Sequence, residues 1–98
     1  MGKYLMIWEL NLEHTPIDPK ERGEGYEMLL AMVKQDIQSG LTKDWGNFVG
    51  EGSGYAIAEG SEVDVNKMVQ QYTPFVRFKT HPIISLEEAA HVIKSMTG

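Results

Sequence analysis

Residues 4–8 constrain the fold of this chain more than any other segment, because all five are apolar before the charge of Glu9 ends the run. A strand that is packed on one face and hydrated on the other alternates apolar and polar residues, whereas a continuously apolar strand has both faces covered. The helices predicted below are too few to cover both faces of a sheet. We therefore predict that a second copy of the chain covers the open sheet face, and that the protein is a homodimer.

Composition limits the class of protein. A chain of 98 residues with 42% hydrophobic residues is typical of one globular domain, spanning residues 1–98. The net charge is −5 and no Lys/Arg cluster provides the positive surface that nucleic acid requires. The chain has no cysteine, which excludes disulfides and thiolate metal sites. The N-terminal apolar run is too short for a signal peptide or a membrane span. We predict a cytoplasmic protein that binds neither nucleic acid nor membranes.

The first predicted helix follows a polar connection. Asp18 is a typical N-cap, and a proline follows it at the first helical position. Apolar residues then recur at helical spacing as far as Gly40, which is a typical C-terminal stop. Gly23 and Gly25 each weaken the first turns by up to about 1 kcal/mol relative to alanine. We therefore expect the regular part of this helix to begin near Glu24.

A hairpin follows this helix. Residues 41–49 and 55–59 have the composition of two strands, and the glycines of residues 50–54 allow the positive φ that a hairpin turn needs. The run is not a phosphate cradle, because it leads into a strand and contains an acidic residue. We predict that these two strands pair as antiparallel neighbours.

Two further helices enclose a last strand. Ser61 and Ser85 each open a capping-box sequence, and residues 75–80 alternate as an edge strand that Pro82 ends. The last helix is expected to turn one apolar stripe inward, formed by Leu86, Ala89, Ala90, Ile93 and Met96.

The order of these elements predicts an α+β, ferredoxin-like βαββαβ fold with a C-terminal helix. Its four-stranded antiparallel sheet has the spatial order 4-1-3-2, with the helices on one face. The first and third strands are then central. Residues 55–58 of the third strand are also apolar on both faces, so both central strands need a cover on the open face.

This order, the apolar segment 4–8 and the closing segment 74–89 resemble the dimeric α+β barrel superfamily, and in particular one of its small families of unknown function. The resemblance covers nearly the whole chain. It implies a dimeric α/β barrel, in which two four-stranded sheets pack face to face. Relatives in the superfamily include muconolactone isomerases, cofactor-independent quinone-forming monooxygenases and haem-degrading monooxygenases. No catalytic set from these relatives matches residue by residue, and fold alone does not assign chemistry.

Two charged residues are the candidates for catalysis. If odd-numbered residues of the first and fourth strands share a face, Glu9 and Arg77 point into the barrel of the dimer. A partly buried carboxylate there could pair with the guanidinium or, if unpaired, act as a general base while the guanidinium stabilises an oxyanion. The simpler interpretation is a structural ion pair or a solvated strand end. A one-residue slip in register reverses the face assignment.

Aromatic and histidine side chains are the candidates for ligand binding. Trp8, Trp45 and Tyr55 are suited to line an apolar pocket, although core packing also explains them. His14 and His81 are the other candidates, with solvent exposure or local hydrogen bonding as the alternative. They follow the first strand and end the fourth, which places them roughly 20 Å apart and argues against a joint metal site.

The sequence contains no catalytic or cofactor motif with a specific spacing, so it leaves open whether the protein is an enzyme. Two hypotheses remain. The first is a homodimer that binds a small apolar or aromatic molecule between sheet and helices, without a metal or cofactor. The alternative is a cofactor-independent monooxygenase or isomerase that acts on a small aromatic or lactone-like metabolite.

Overall fold

The computed structural model describes residues 2–98 and has the predicted order of elements. The fold is α+β and ferredoxin-like with a C-terminal helix, and a short 3₁₀ turn (Leu12–His14) follows the first strand. The strands and helices are β1 (Gly2–Leu10), α1 (Pro19–Gln38), β2 (Thr42–Asn47), β3 (Ser53–Gly60), α2 (Glu62–Tyr72), β4 (Val76–Ile83) and α3 (Leu86–Thr97).

The sheet is antiparallel with the order β2-β3-β1-β4, which confirms the predicted arrangement and the central position of β1 and β3. The strand bounds differ from those predicted. β4 continues through Pro82, which lies opposite Tyr4, because an edge strand tolerates a residue without an N–H group. β2 is shorter than predicted and contains an irregularity in register between Thr42 and Asp44.

All three long helices begin at their predicted caps. The Asp18 carboxylate accepts a hydrogen bond from the backbone N–H of Glu21 at 3.1 Å, and α1 is helical from Pro19 onward. The expected start near Glu24 is therefore wrong, because this cap and the proline outweigh the cost of two glycines. Ser61 caps α2 and Ser85 caps α3 with a complete capping box. The fixed starts determine which residues of each helix can face the sheet.

The core lies between the sheet and the pair α1 and α2. Tyr4, Met6 and Trp8 of β1 and the even-numbered residues of β3 are buried on this face, whereas the odd-numbered residues between them are only partly buried. The register pairs Glu9 with Arg77 and Trp8 with Phe78, which confirms the predicted face assignment. The buried apolar residues are Tyr4, Met6, Trp8, Ala56, Ala58, Val65, Met68, Tyr72 and Val76.

The opposite side of the sheet, here called the open face, has an apolar centre. Leu5 and Ile7 of β1 lie beside Ile57 of β3, and all three side chains are partly exposed. The residues that surround them are charged or polar and include Lys79 and Tyr55. This is the doubly apolar pattern that the sequence indicated for the two central strands.

The prediction that α3 packs its apolar stripe inward is wrong. Ile93 is 60% exposed and Met96 is 80% exposed, and α3 buries none of its residues. Only Ile84 and Ser85 separate β4 from α3, so the helix is not carried back over the sheet. The radius of gyration is 16.2 Å, against about 13 Å for a compact domain of this length. The helix therefore extends away from the rest of the fold.

None of the helices between residues 2 and 98 has both the length and the apolarity needed to cross a bilayer.

Candidate ligand-binding site

A cavity of 660 Å³ lies between α1 and the helix-covered face of the sheet. This volume is within the range of about 300–1,000 Å³ that is typical of small-molecule sites. All four strands, α1 and α2 contribute to its walls or its rim, and most of the lining is apolar. Its principal side chains are Trp8, Leu29, Val33, Trp45, Met68 and Phe78.

The cavity exists because α1 does not pack closely on the sheet. The helix has an apolar stripe but no buried residue, and Leu30 remains 45% exposed. The β3 residue in the cavity wall is the small Ala56, which does not fill the space below the helix. A stripe that would otherwise complete the core therefore lines a cavity.

A stacked pair of tryptophans forms one wall. The Trp8 and Trp45 rings are 5.3 Å apart between centroids and tilted by only 7°. Trp8 is held in place because its indole Nε1 donates a hydrogen bond to the backbone oxygen of Tyr55 at 3.2 Å. Gly54 permits this arrangement, since a Cβ there would lie 2.5 Å from Cζ2 of Trp8. The result is a flat, fixed aromatic surface of the kind on which planar rings pack.

Two hydroxyls inside the cavity are hydrogen-bonded within the protein. The Tyr72 hydroxyl donates a hydrogen bond to the Asp36 carboxylate at 2.6 Å and so joins α2 to α1. Burial, and then the bond to Asp36, raise the pKa of Tyr72 above its ordinary value. The Thr42 hydroxyl donates to the Met68 sulfur at 3.5 Å. The interior therefore offers a ligand mainly apolar contacts.

Exposed residues of the hairpin between β2 and β3 belong to the cavity lining, and this part of the lining is here called the mouth. Asn47, Glu51 and the two glycines at positions 50 and 52 contribute to it. The Asn47 side-chain nitrogen donates to the backbone oxygens of Phe48 at 2.8 Å and of Glu51 at 3.2 Å. The two bonds orient Asn47 and hold the turn beside the opening.

A family profile described as a domain of unknown function (DUF3303) matches residues 2–97. The chain belongs to this family. A comparison with curated proteins found no match. In this member of the DUF3303 family, the geometry of the cavity determines which molecules the site can bind.

Of the predicted ligand-binding residues, the structure brings Trp8 and Trp45 together in the cavity wall. Tyr55 lies on the open face, where its hydroxyl donates a hydrogen bond to Asp44 at 2.9 Å. That bond raises the pKa of Tyr55. Tyr55 therefore contributes to the cavity through its backbone oxygen, which fixes Trp8, and not through its ring.

The catalytic candidates Glu9 and Arg77 lie directly opposite each other on β1 and β4. Both are exposed on the open face, and Nη2 of Arg77 lies 3.4 Å from Oδ1 of Asn11. The sheet separates them from the cavity. The catalytic roles predicted for Glu9 and Arg77 stay predictions. They would apply only to a molecule bound at the open face, because neither residue can reach a molecule bound beside Trp45.

The two histidines named as candidates lie apart. His14 follows β1 and borders a smaller cavity of 210 Å³, with its ring edge-on to Phe75 at 6.4 Å. His81 lies within β4 opposite Leu5, on the open face. Among residues 2–98, no group of three or more His, Asp and Glu side chains is arranged to hold a metal ion.

Sequence reasoning did not identify Asp36, Met68 or Tyr72 as residues of the site. Met68 and Tyr72 belong to the apolar stripe of α2, and spacing alone does not separate a cavity wall from a filled core. Asp36 is one acidic residue among several on α1, and its contact with Tyr72 joins residues 36 positions apart. The one signal available in the sequence was the hydroxyl of Tyr72, which lies in the last turn of the otherwise apolar stripe of α2.

Proposed function

We propose that this protein is a homodimer that binds a small apolar or aromatic molecule in the cavity between α1 and the sheet. The observation that carries the proposal is an apolar cavity of 660 Å³ with a stacked tryptophan pair in its wall. Specific sites of this size are lined mainly by apolar and aromatic side chains with a few polar groups, as here.

The energetics of α1 support a bound molecule. The apolar side chains of this helix that line the cavity are incompletely covered, and Leu30 is 45% exposed. Covering apolar surface contributes about 25 cal/mol for each Å² removed from water. A ligand between Leu30 and the tryptophan pair would therefore stabilise the packing of α1 as well as the complex.

The open face supports the dimer. Its centre, formed by Leu5, Ile7 and Ile57, is apolar, and an apolar sheet face is ordinarily covered. Two such sheets facing each other would give the barrel that the superfamily resemblance implies. The cavity lies on the other side of each sheet, so the proposed dimer leaves both ligand sites accessible.

Ligand binding can be measured directly, because Trp8 and Trp45 are the only tryptophans of the chain and both belong to the cavity wall. We expect intrinsic fluorescence to change when a neutral naphthalene derivative is titrated into the purified protein. Native mass spectrometry of the protein as purified would identify a compound that it already carries.

A matched pair of variants tests the location of the site. Val33→Phe places a larger side chain in the cavity, whereas Lys34→Phe adds the same side chain at an exposed position outside its lining. We expect the first to weaken binding by about tenfold, equivalent to about 1.4 kcal/mol, and the second to leave it unchanged. Equal affinities in the two variants would place binding elsewhere, and no binding by the parent protein would refute the proposal.

A further inference from the structure

We propose that the cavity selects a neutral planar aromatic molecule that carries a hydrogen-bond donor, such as a phenol or an arylamine, and rejects aromatic carboxylates. Glu51 and Asn47 at the mouth would make this selection. The inference rests on the proposed function, and it adds the chemical class of the ligand and the residues that distinguish it.

The shape of the site favours a planar ring. The Trp8 and Trp45 rings are nearly parallel, and the hydrogen bond from Trp8 to the backbone of β3 holds one of the two rings in place. Aromatic rings prefer offset stacked or edge-on contacts with such a surface. The opposite wall, which is formed by Leu29 and Val33 of α1, is apolar and would cover the second face of the ring.

The charges around the site disfavour an anion. Among residues 2–98, the side chains that line the cavity include no Lys, Arg or His, and the one charged side chain in that lining is that of Glu51. The Asp36 carboxylate lies just behind Tyr72, to which it is hydrogen-bonded at 2.6 Å. A carboxylate ligand would lose water without gaining a counter-charge, and both acidic groups would repel it.

The side chains of Asn47 and Glu51 give the mouth two hydrogen-bond acceptors. Both hydrogen bonds of the Asn47 side chain come from its nitrogen, and they go to backbone oxygens that only a donor can contact. Its amide oxygen therefore remains to accept a hydrogen bond from a ligand, and the Glu51 carboxylate is a second acceptor. The interior hydroxyls of Thr42 and Tyr72 already donate within the protein. A hydrogen-bond donor on the ligand would therefore pair with the free acceptors of Asn47 and Glu51 at the mouth.

Three naphthalenes of matched size test the inference: 2-naphthol, 2-methoxynaphthalene and 2-naphthoate, each titrated at neutral pH and followed by tryptophan fluorescence and calorimetry. We expect 2-naphthol to bind at least about fivefold more tightly than the ether, which lacks the donor, consistent with one hydrogen bond to a charged acceptor in water. We expect 2-naphthoate to bind at least about tenfold more weakly than 2-naphthol.

Charge variants assign the selection to Glu51. Glu51→Gln should reduce the discrimination against 2-naphthoate, and Glu51→Lys should reverse it, so that the anion binds more tightly than 2-naphthol. Glu27→Lys makes the same change in net charge on an exposed position of α1 outside the cavity, and it should leave the order of affinities unchanged. Glu51 is an exposed turn residue, so the variants are expected to keep the fold.

The outcomes separate this inference from the function on which it rests. If 2-naphthoate binds the parent protein as tightly as 2-naphthol, the inference is refuted while ligand binding in the cavity stands. The same holds if Glu51→Lys and Glu27→Lys have equal effects. If none of the three compounds binds, both the inference and the proposed function are refuted.

Discussion

At the residue scale, the stacked tryptophan wall depends on one glycine. Gly54 lies opposite Trp8 in the β1–β3 register, and a Cβ at this position would meet the Trp8 indole and the backbone oxygen of Gly46. We expect Gly54→Ala to displace Trp8, weaken its stacking on Trp45 and destabilise the fold by about 1–3 kcal/mol, the usual cost of overpacking. Near-ultraviolet circular dichroism and urea unfolding measure the two effects.

A neighbouring glycine is the control for this substitution. A Cβ at Gly52 would meet Leu10 at 3.5 Å, which is an ordinary contact. Gly52→Ala should therefore leave both the aromatic signal and the unfolding midpoint close to those of the parent protein. Similar losses in the two variants would show that the Trp8 position does not depend on the space left by Gly54.

The hydrogen bond between Tyr72 and Asp36 gives a pH-dependent prediction. Burial and the Asp36 carboxylate raise the pKa of Tyr72 above its ordinary value of 10.0, so the folded state holds this proton more tightly than the unfolded chain. The contribution to stability is complete below pH 10.0 and is lost as the pH rises above it. Tyr72→Phe should lack this alkaline loss and should be less stable at neutral pH by about 1–2 kcal/mol, because Asp36 loses its donor.

Urea unfolding at neutral and alkaline pH tests this expectation. Tyr55→Phe serves as the comparison, since the pKa of Tyr55 is raised by its bond to Asp44 on the open face, far from the α1–α2 contact. Each variant should remove a different part of the decrease in the free energy of unfolding at alkaline pH. An alkaline loss that is unchanged in Tyr72→Phe would exclude the contact as its source.

At the element scale, the sequence was most informative about where elements begin. The caps at Asp18, Ser61 and Ser85 act on residues three positions away, so a local pattern contains the whole interaction. The order of the strands in the sheet could also be predicted, because few sheet topologies are compatible with a βαββαβ order of elements. The extension of β4 through Pro82 did not follow, since a proline ordinarily ends a strand and its pairing with Tyr4 depends on how far β1 continues beside it.

The sequence was least informative about distances between elements. The apolar spacing of α1 predicts which side faces the sheet, and the structure confirms that side, but spacing does not state how closely the helix approaches. That distance depends in part on the small Ala56, which lies below α1 only in the folded chain. The cavity could therefore be suggested from Trp8 and Trp45, but its size and remaining walls could not.

The exposed stripe of α3 leads to a prediction about the dimer. A helix of 12 residues is marginally stable by itself in water, and α3 buries none of its residues in its own chain. Its first residue follows Ile83 of the open face by only three positions. One face of a four-stranded sheet with strands of this length has an area of roughly 500 Å². A stable interface, by contrast, buries about 800 Å² per partner. We therefore expect α3 to contribute to the same interface.

Ile93→Glu tests this role. Ile93 is 60% exposed in one chain, so a charge there should leave the stability of the monomer unchanged within about 0.5 kcal/mol. In the dimer the buried charge should raise the dissociation constant at least about tenfold. Lys94→Glu, on the next residue, is the control and should have a smaller effect. Equal dissociation constants for Ile93→Glu and the parent protein would exclude α3 from the interface.

At the scale of the whole molecule, the two surfaces of the sheet have separate proposed tasks. One is covered by α1 and α2 and forms the cavity, whereas the other has the apolar centre around Ile57. Substitutions on the open face should therefore change the dissociation constant of the dimer. They should leave the affinity for a ligand unchanged when that affinity is measured at a protein concentration that saturates dimer formation. Glu9→Gln and Arg77→Ala belong to this class, because the sheet separates both residues from the cavity.

Association itself is best tested by mass. A compact dimer of this chain has a radius of gyration of roughly 16 Å by the usual scaling, which is indistinguishable from the 16.2 Å of the single extended chain. Scattering radius alone therefore does not discriminate, and sedimentation equilibrium does. We expect the parent protein at low micromolar concentration to have twice the 11.0 kDa mass of one chain.

Ile57→Lys should convert this dimer to monomers, because a symmetric interface would bring two added charges together at the centre of the open face. Ile57 is only partly buried in one chain, so the circular dichroism of the fold should persist. Ile17→Lys makes the same replacement at a residue that is 92% exposed and outside the sheet, and it should remain dimeric. A parent protein with the mass of one chain, or an Ile57→Lys variant that still dimerises, would mean that the open face is not where two copies meet.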